Sequence, residues 1–194
     1  MIELHHGQPP QELSDYHKMH PNALPDDFDG QAFDIARSAS KVALHRDQEK
    51  LCVYCERKLT ANEGQIDHIK SRKKYPDLCF CYTNFAHSCI NRKTCGQKKK
   101  NGDLPITPAP GCNSEWFLST DGFIEPIERL IRQRRHQVKQ TLDMLGLNKD
   151  SSLVAERREC LKSALDILQQ MPDALPDFLR DAPFRHMLKT VFGS

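Results

Sequence analysis

The sequence predicts a mixed α+β fold that is mostly helical, with a zinc-stabilised core, flanking helices and a C-terminal helical hairpin. The first observation is a Cys52-Val53-Tyr54-Cys55 segment that is followed by a second cysteine pair, Cys89 and Cys95. The second is the helical periodicity of apolar residues on both sides of this segment. The third is composition. Of 194 residues only 38% are hydrophobic and 28% are charged, so a bound metal would supplement a modest apolar core.

The sequence also indicates the cellular location of the protein. Residues 1–10 contain no basic segment followed by an apolar run, and no apolar run approaches the roughly 20 residues of a membrane span. We therefore expect a cytoplasmic protein with no membrane partner. In such a protein a Cys-x-x-Cys segment favours metal binding over disulfides.

The N-terminal part is predicted to be an irregular arm, residues 1–28, followed by residues 29–110, which hold a helix and the cysteine-rich core. The arm contains four prolines and one short predicted helix, Leu13 to Met19. A longer helix is predicted from about Gln31 to Glu49, with Asp29 as its cap. Its apolar stripe is expected to pack on the metal core.

Residues 51–100 carry the cysteines. Leu51–Tyr54 and Gln65–Ile69 are predicted as short strands that are joined by a turn at 62–64. From Asn84 the chain is predicted to be helical.

The C-terminal part, residues 111–194, is predicted to be a small hairpin and a helical region packed on the core. The hairpin turns at Asp121-Gly122. One helix is expected from about Ile127 to Leu145, with Gly146 ending it. Two more are expected, from the Ser151/Ser152 cap to about Met171 and from about Asp177 to Phe192. The polar face of the first helix carries Arg129, Arg132, Arg134, Arg135 and Lys139.

Four cysteines are predicted to hold a structural Zn²⁺, which prefers four thiolates in tetrahedral geometry: Cys52, Cys55, Cys89 and Cys95. Cys79 and Cys81 are competing candidates, but one residue between them on an extended segment would point their side chains apart. We predict that they, with Cys112 and Cys160, are free thiols or core residues.

The Asp67-His68 pair lies between the two cysteine pairs and indicates a catalytic site. An aspartate is a good Mg²⁺ ligand, and a neutral histidine can take a proton from water. Between 70 and 100, nine basic residues face one acid, Asp77. Such a patch favours phosphate polymers, although a solvated charged face is the alternative. The predicted nucleic-acid-binding residues are Lys70, Arg72, Lys73, Lys74, Arg92, Lys93, Lys98 and Lys99.

The order of Cys-x-x-Cys, Asp67-His68-Ile69, Asn84 and a cysteine-rich helix resembles the HNH (ββα-metal) endonuclease family. The resemblance implies that His68 is the general base, that Asp67 binds the catalytic Mg²⁺ or Mn²⁺, and that Asn84 anchors a loop. An ordinary helix cap is the alternative role for Asn84.

The wide spacing of Cys89 and Cys95, followed by Gly96-Gln97-Lys98, resembles a narrower branch, the PtuB-like component of Septu and related retron anti-phage systems. In that branch a histidine often stands at the position of Gln97. Gln97 and Asn91 are therefore equal candidates for the last catalytic-metal ligand. The resemblance also implies a PtuA-like ABC-type ATPase partner and allows a retron reverse transcriptase–msDNA assembly.

The leading hypothesis is thus a metal-dependent endonuclease that acts on DNA or RNA. A non-catalytic zinc-ribbon module that binds nucleic acid or protein is the alternative, since no histidine or asparagine directly follows Cys95. A zinc-stabilised interaction subunit, in which the C-terminal helices bind a regulator, is a third.

Overall fold

A computed structural model describes residues 1–192, and that part of the chain contains seven α-helices and four short strands. In chain order the elements are α1 (Gln11–Met19), α2 (Asp34–Asp47), β1 (Gln65–His68), β2 (Phe85–Ser88), α3 (Cys95–Lys99), β3 (Trp116–Leu118), β4 (Ile124–Pro126), α4 (Arg132–Leu145), α5 (Ser151–Gln170), α6 (Leu175–Asp181) and α7 (Arg185–Phe192). The mixed, mostly helical class is confirmed. None of the helices within 1–192 is long and apolar enough for a membrane span.

The strands form two antiparallel pairs, β1 with β2 and β3 with β4. Side chains alternate across a strand, so neighbouring residues of β2 enter different cores. Phe85 packs with α1 and α2 residues, whereas Ala86 packs with the cysteines and the C-terminal helices. The β1–β2 pair therefore lies between two apolar cores.

The predicted first strand, Leu51–Tyr54, is wrong. Leu51 forms only an isolated bridge with Lys58, and the chain turns back on itself: the Glu56 amide donates to the Cys52 carbonyl over 3.0 Å. The strand that pairs with β1 is Phe85–Ser88, where a helix was expected. That helix begins only at Cys95.

Gly64, just before β1, has a left-handed φ of +73°, and a Cβ there would meet the Ser88 carbonyl oxygen at 2.7 Å. Only glycine fits the turn that starts β1 so close to β2.

The predicted helix after the arm is confirmed as α2, although it begins at Asp34 rather than Gln31 and is not capped by Asp29. The packing prediction is wrong, because α2 buries Ala36, Ala43 and Leu44 in the core shared with α1 instead of the cysteine core. Within the predicted arm, the first residues are buried in the cysteine core: Met1, Ile2 and Leu4.

The hairpin at Asp121-Gly122 is confirmed, with Gly122 at φ +85°. Gly146, at φ +64°, ends α4 as expected. That helix begins five residues later than predicted, at Arg132, because Ile131 is extended. α5 is capped by Asp150, whose carboxylate accepts the amide hydrogens of Ser152 and Leu153, rather than by a serine.

The last predicted helix is two helices, α6 and α7. Ala182 precedes Pro183 and is extended (ψ 147°), as steric contact with the proline ring requires, so the helix breaks there. Residues from all three predicted regions share the cysteine core. The division at residues 28 and 110 stays a prediction.

Candidate active site and metal centre

The four predicted cysteines converge in the core. The sulfurs of Cys52, Cys55, Cys89 and Cys95 all lie within 4.8 Å of one another, and all four residues are buried. Sγ of Cys52 is 3.7 Å from that of Cys95, and Sγ of Cys55 is 3.8 Å from that of Cys89. Tetrahedral zinc with Zn–S bonds of about 2.3 Å needs sulfurs about 3.8 Å apart, so this donor set fits the ion.

The cysteines of this cluster differ in how easily they lose a proton. Burial disfavours a thiolate, yet hydrogen bonds from the other three cysteines hold the pKa of Cys52 well below its usual value. The same contacts and burial raise the pKa of Cys55 and of Cys95. The cluster therefore favours one thiolate beside protonated thiols, and a divalent cation would displace the remaining protons to form the full set of thiolates. The remaining cysteines are free, as predicted: Cys79, Cys81, Cys112 and Cys160.

Asp67 and His68 end β1, where Asp67 pairs with Ala86 and His68 pairs with Phe85. They line a cleft of about 350 Å³ together with Ser71, Gln97 and Lys100. Helix α3, which begins at Cys95 of the cluster, thus forms part of the cleft wall.

The ring of His68 is fixed in one orientation. Nε2 lies 2.8 Å from the Cys79 carbonyl oxygen. Because a carbonyl only accepts, Nε2 carries the proton and Nδ1 keeps its lone pair. Phe28 packs edge-on against the ring at 4.5 Å between centroids. Burial lowers the pKa of His68 to about 4, so the imidazole is neutral at pH 7.

The carboxylate of Asp67 is held through one oxygen. Oδ2 accepts the Tyr54 hydroxyl over 2.5 Å and lies 3.2 Å from the ammonium of Lys99. Among residues 1–192, Oδ1 receives no hydrogen bond, and it lies 2.9 Å from where a Cβ on Gly96 would sit. Burial raises the pKa of Asp67, while the Lys99 charge opposes the shift. Oδ1 is thus the oxygen left for a metal ion.

Asn84 ties down the segment after β1. Its Oδ1 accepts the Lys70 amide over 2.7 Å, and its Nδ2 donates to the carbonyls of Lys70 and Leu78 at 2.9 and 3.0 Å. No helix begins there, since β2 follows, so the alternative role as a helix cap is wrong. A single amide therefore fixes both ends of the loop from Lys70 to Leu78, which directly precedes the Cys79 carbonyl that bonds the His68 ring.

The two candidates for the last metal ligand are separated. Gln97 lines the cleft, and its Nε2 donates to Gln65 Oε1 over 2.6 Å. Asn91 does not line the cleft. Its Nδ2 donates to Asp150 Oδ2 over 3.0 Å, and its Oδ1 accepts the backbone amide hydrogen of Lys93 over 2.9 Å. Asn91 is thus not placed as a ligand with Asp67.

The basic residues between 70 and 100 differ in whether their charge is buried, paired or exposed. Lys99, predicted to bind nucleic acid, is buried and donates to the His68 carbonyl over 2.8 Å, so that prediction is wrong. Arg72 pairs with Asp29 at 2.5 Å, Lys74 pairs with Asp103 at 3.0 Å, and Lys70 lies over the Tyr75 ring. Five of the basic residues are exposed and form no ion pair with any of residues 1–192: Lys73, Arg92, Lys93, Lys98 and Lys100.

Sequence reasoning missed Tyr54 and the positioning role of Lys99. Tyr54 lies inside the Cys-x-x-Cys turn, which folds towards β1 and buries the ring completely. A tyrosine between two cysteines of a predicted zinc site is a usable signal, because a buried phenol needs a hydrogen-bond partner.

Comparison with known proteins gives a match over nearly the whole chain. No family model matches the chain. A protein of Vibrio cholerae serotype O1 biovar El Tor, named "Retron Vc95 putative HNH endonuclease", is 40% identical over 204 aligned residues, which cover 98% of this chain and 99% of that protein.

Proposed function

Because the chain belongs to the HNH endonuclease family, we propose that it hydrolyses phosphodiester bonds of nucleic acid in the cleft between β1 and α3. One observation carries the proposal. Adjacent residues at the end of β1 present an unprotonated imidazole nitrogen of His68 and an unbonded carboxylate oxygen of Asp67 at one cleft.

His68 is the proposed general base. The hydrogen bond from Nε2 to the Cys79 carbonyl fixes the tautomer, so Nδ1 takes the proton from the attacking water. Substrate phosphates would bring negative charge beside the ring and raise its pKa from about 4 towards the working range. The same carbonyl would then stabilise the imidazolium that forms.

Asp67 is the proposed metal ligand, with Gln97 as the second. Both offer oxygen donors, and Mg²⁺ is commonly bound by one or two protein oxygens with waters completing its shell. Such an ion, Mg²⁺ or Mn²⁺, would stabilise the negative charge that develops on the departing oxygen. Tyr54 and Lys99 hold the other oxygen of Asp67 and keep the carboxylate oriented.

Asn84 is proposed to act through His68. Its three hydrogen bonds fix the loop from Lys70 to Leu78, which is followed directly by the Cys79 carbonyl that orients the imidazole. Exposed lysines beside the cleft, Lys73 and Lys100, would hold the nucleic-acid backbone.

We further propose that the protein is the effector of an anti-phage defence complex, restrained or delivered by a PtuA-like ABC-type ATPase, with a retron reverse transcriptase and its msDNA in the assembly. The support is the retron named in its Vibrio cholerae relative.

The test is direct. Purified protein, alone and with an ATPase encoded by a neighbouring gene, is incubated with plasmid DNA and with transfer RNA under Mg²⁺ or Mn²⁺. We expect metal-dependent cutting of at least one substrate that EDTA stops. Salt-sensitive binding without cutting under all of these conditions would instead support the non-catalytic zinc-ribbon function.

A further inference from the structure

A row of cations on α4 lies outside the residues assigned to the cleft. Two of these cations, Arg132 and Lys139, are seven residues apart, and Gly146 at the end of α4 follows after seven more. Seven residues are close to two turns of helix, so the three positions lie along one line of α4. Lys139 and Arg132 are exposed. By helical rise, the line is about 21 Å long.

The line begins where α3 meets α4. The side chain of Lys98 reaches 3.4 Å from the position of a Cβ on Gly146, and the Lys93 carbonyl packs on the same glycine. Lys98 directly follows Gln97, which lines the cleft. The cations therefore continue from the cleft wall, across α3, onto the outer side of α4.

The charges on this line are available. Neither Lys98, Lys139 nor Arg132 forms an ion pair with any residue from 1 to 192. Asp143, which follows Lys139 by four residues on α4 and so lies beside this line, is paired with Lys149 at 2.9 Å. A phosphate backbone would meet cations at intervals of about 10 Å.

The start of α4 also favours an anion. It opens with Arg132, has no acid in its first turn and receives no side-chain cap from Ile131. Arg134 of the same turn is paired with Glu115, so Arg132 keeps an unpaired charge at the positive end of the helix dipole, and a bound phosphate would reduce that repulsion.

We infer that the Lys98–Lys139–Arg132 line is an extended binding track for the backbone of the nucleic-acid substrate, beyond the bond that is cut. The inference rests on the proposed nuclease function. It predicts that long substrates are bound more tightly than short ones, and that the difference resides in α4.

Binding is measured without cutting, by fluorescence anisotropy on zinc-loaded protein with no Mg²⁺ or Mn²⁺ added. The probes are single-stranded and duplex DNA of 8 and 24 nucleotides over a salt series. We compare wild type, the double variant Lys139→Gln/Arg132→Gln, and the matched double variant Lys162→Gln/Lys189→Gln, which removes two exposed charges elsewhere.

We expect the α4 variant to bind the 24-nucleotide probe more weakly. The slope of log affinity against log salt should fall by about 1.8 for duplex or about 1.4 for single strands, two phosphate contacts in each case. Binding of the 8-nucleotide probe should hardly change. Equal losses in both double variants, equal losses on both lengths, or no binding by wild type would overturn the track. If binding depends on probe length as expected but the protein cuts no substrate, the nuclease function is refuted and the binding track is not.

Discussion

The hydroxyl of Tyr54 donates to Oδ2 of Asp67 over 2.5 Å, and this bond joins the Cys52–Cys55 turn to the proposed catalytic carboxylate. Tyr54 lies between Cys52 and Cys55, is fully buried, and has its pKa raised well above the usual value by burial and by the Asp67 charge. The phenol is thus a permanent donor. The cysteine cluster therefore both stabilises the core and orients Asp67.

Tyr54→Phe removes this donor and keeps the ring. Partners of ligating carboxylates typically contribute 10–100-fold to metal affinity, so we expect Mn²⁺ affinity, measured by EPR titration, to fall by about that factor. Zinc content should be unchanged. Tyr82→Phe is the control, because the Tyr82 hydroxyl also donates to a carboxylate, Asp47 at 2.8 Å, outside the cleft. Equal Mn²⁺ affinity in both variants would show that Tyr54 does not position Asp67.

The cysteine cluster predicts one zinc ion per chain. Cys89→Ser should lose zinc in elemental analysis and unfold at a much lower temperature, since structural zinc sites supply about 10 kcal/mol or more of folding free energy. Cys160→Ser, a half-buried thiol outside the cluster, should keep full zinc and near-normal stability. Stoichiometric zinc in the Cys89 variant would contradict the ligand set.

Burial of neutral His68 predicts a pH-dependent stability. Its folded pKa of about 4 lies below the value of about 6.5 expected in the unfolded chain, so the unfolded chain takes up the extra proton between these values. The stability associated with His68 is fully present above about pH 6.5 and is lost as pH falls towards 4.

Urea unfolding of wild type and His68→Gln at pH 7.5 and pH 5 isolates this effect, because the other groups titrate in both proteins. We expect wild type to lose about 2 kcal/mol more than the variant between these pH values. Parallel losses would mean that His68 is not buried as a neutral ring.

Arg157 is predicted to be the main polar connection of the C-terminal region. Its fully buried guanidinium donates to the Gly122 and Leu147 carbonyls, both at 2.8 Å, and to Asn148 Oδ1 at 3.1 Å. Arg157→Met leaves these acceptors unpaired and should lower the free energy of unfolding by about 3 kcal/mol or more.

Its exposed neighbour provides the control: Arg158→Met should change the unfolding free energy by less than about 0.5 kcal/mol in the same urea experiment. Equal effects of the two substitutions would contradict the assigned role of Arg157.

Local chemistry made part of the site predictable. The Cys-x-x-Cys spacing and the later cysteines identified the cluster, because zinc restricts its ligands to few residue types and to short turns. Asp67 and His68 stood out because β1 could be recognised and ended there. The turn at Asp121-Gly122 and the stop at Gly146 follow from backbone conformations that glycine favours.

Long-range pairing explains what was missed. β2 is four residues long, and its strand conformation depends on β1, with Gln65 opposite Ser88. No local period distinguishes such a segment from a helix. Lys99 resembled a surface cation, but the fold around Asp67 buries it. Asn91 and Gln97 were equivalent in sequence, and bonds to Asp150 and to the Lys93 amide hold Asn91 outside the cleft.

Single-turnover cleavage by His68→Ala tests the central claim most directly. His17→Ala is the matched control, since His17 also contacts a backbone carbonyl, that of Phe80 at 3.2 Å, but from the exposed face of α1. With zinc content and circular dichroism equal to those of wild type, we expect metal-dependent cleavage to fall at least 100-fold in His68→Ala and to persist in His17→Ala. Wild-type cleavage by a folded His68→Ala protein would contradict the assignment of this cleft as the active site.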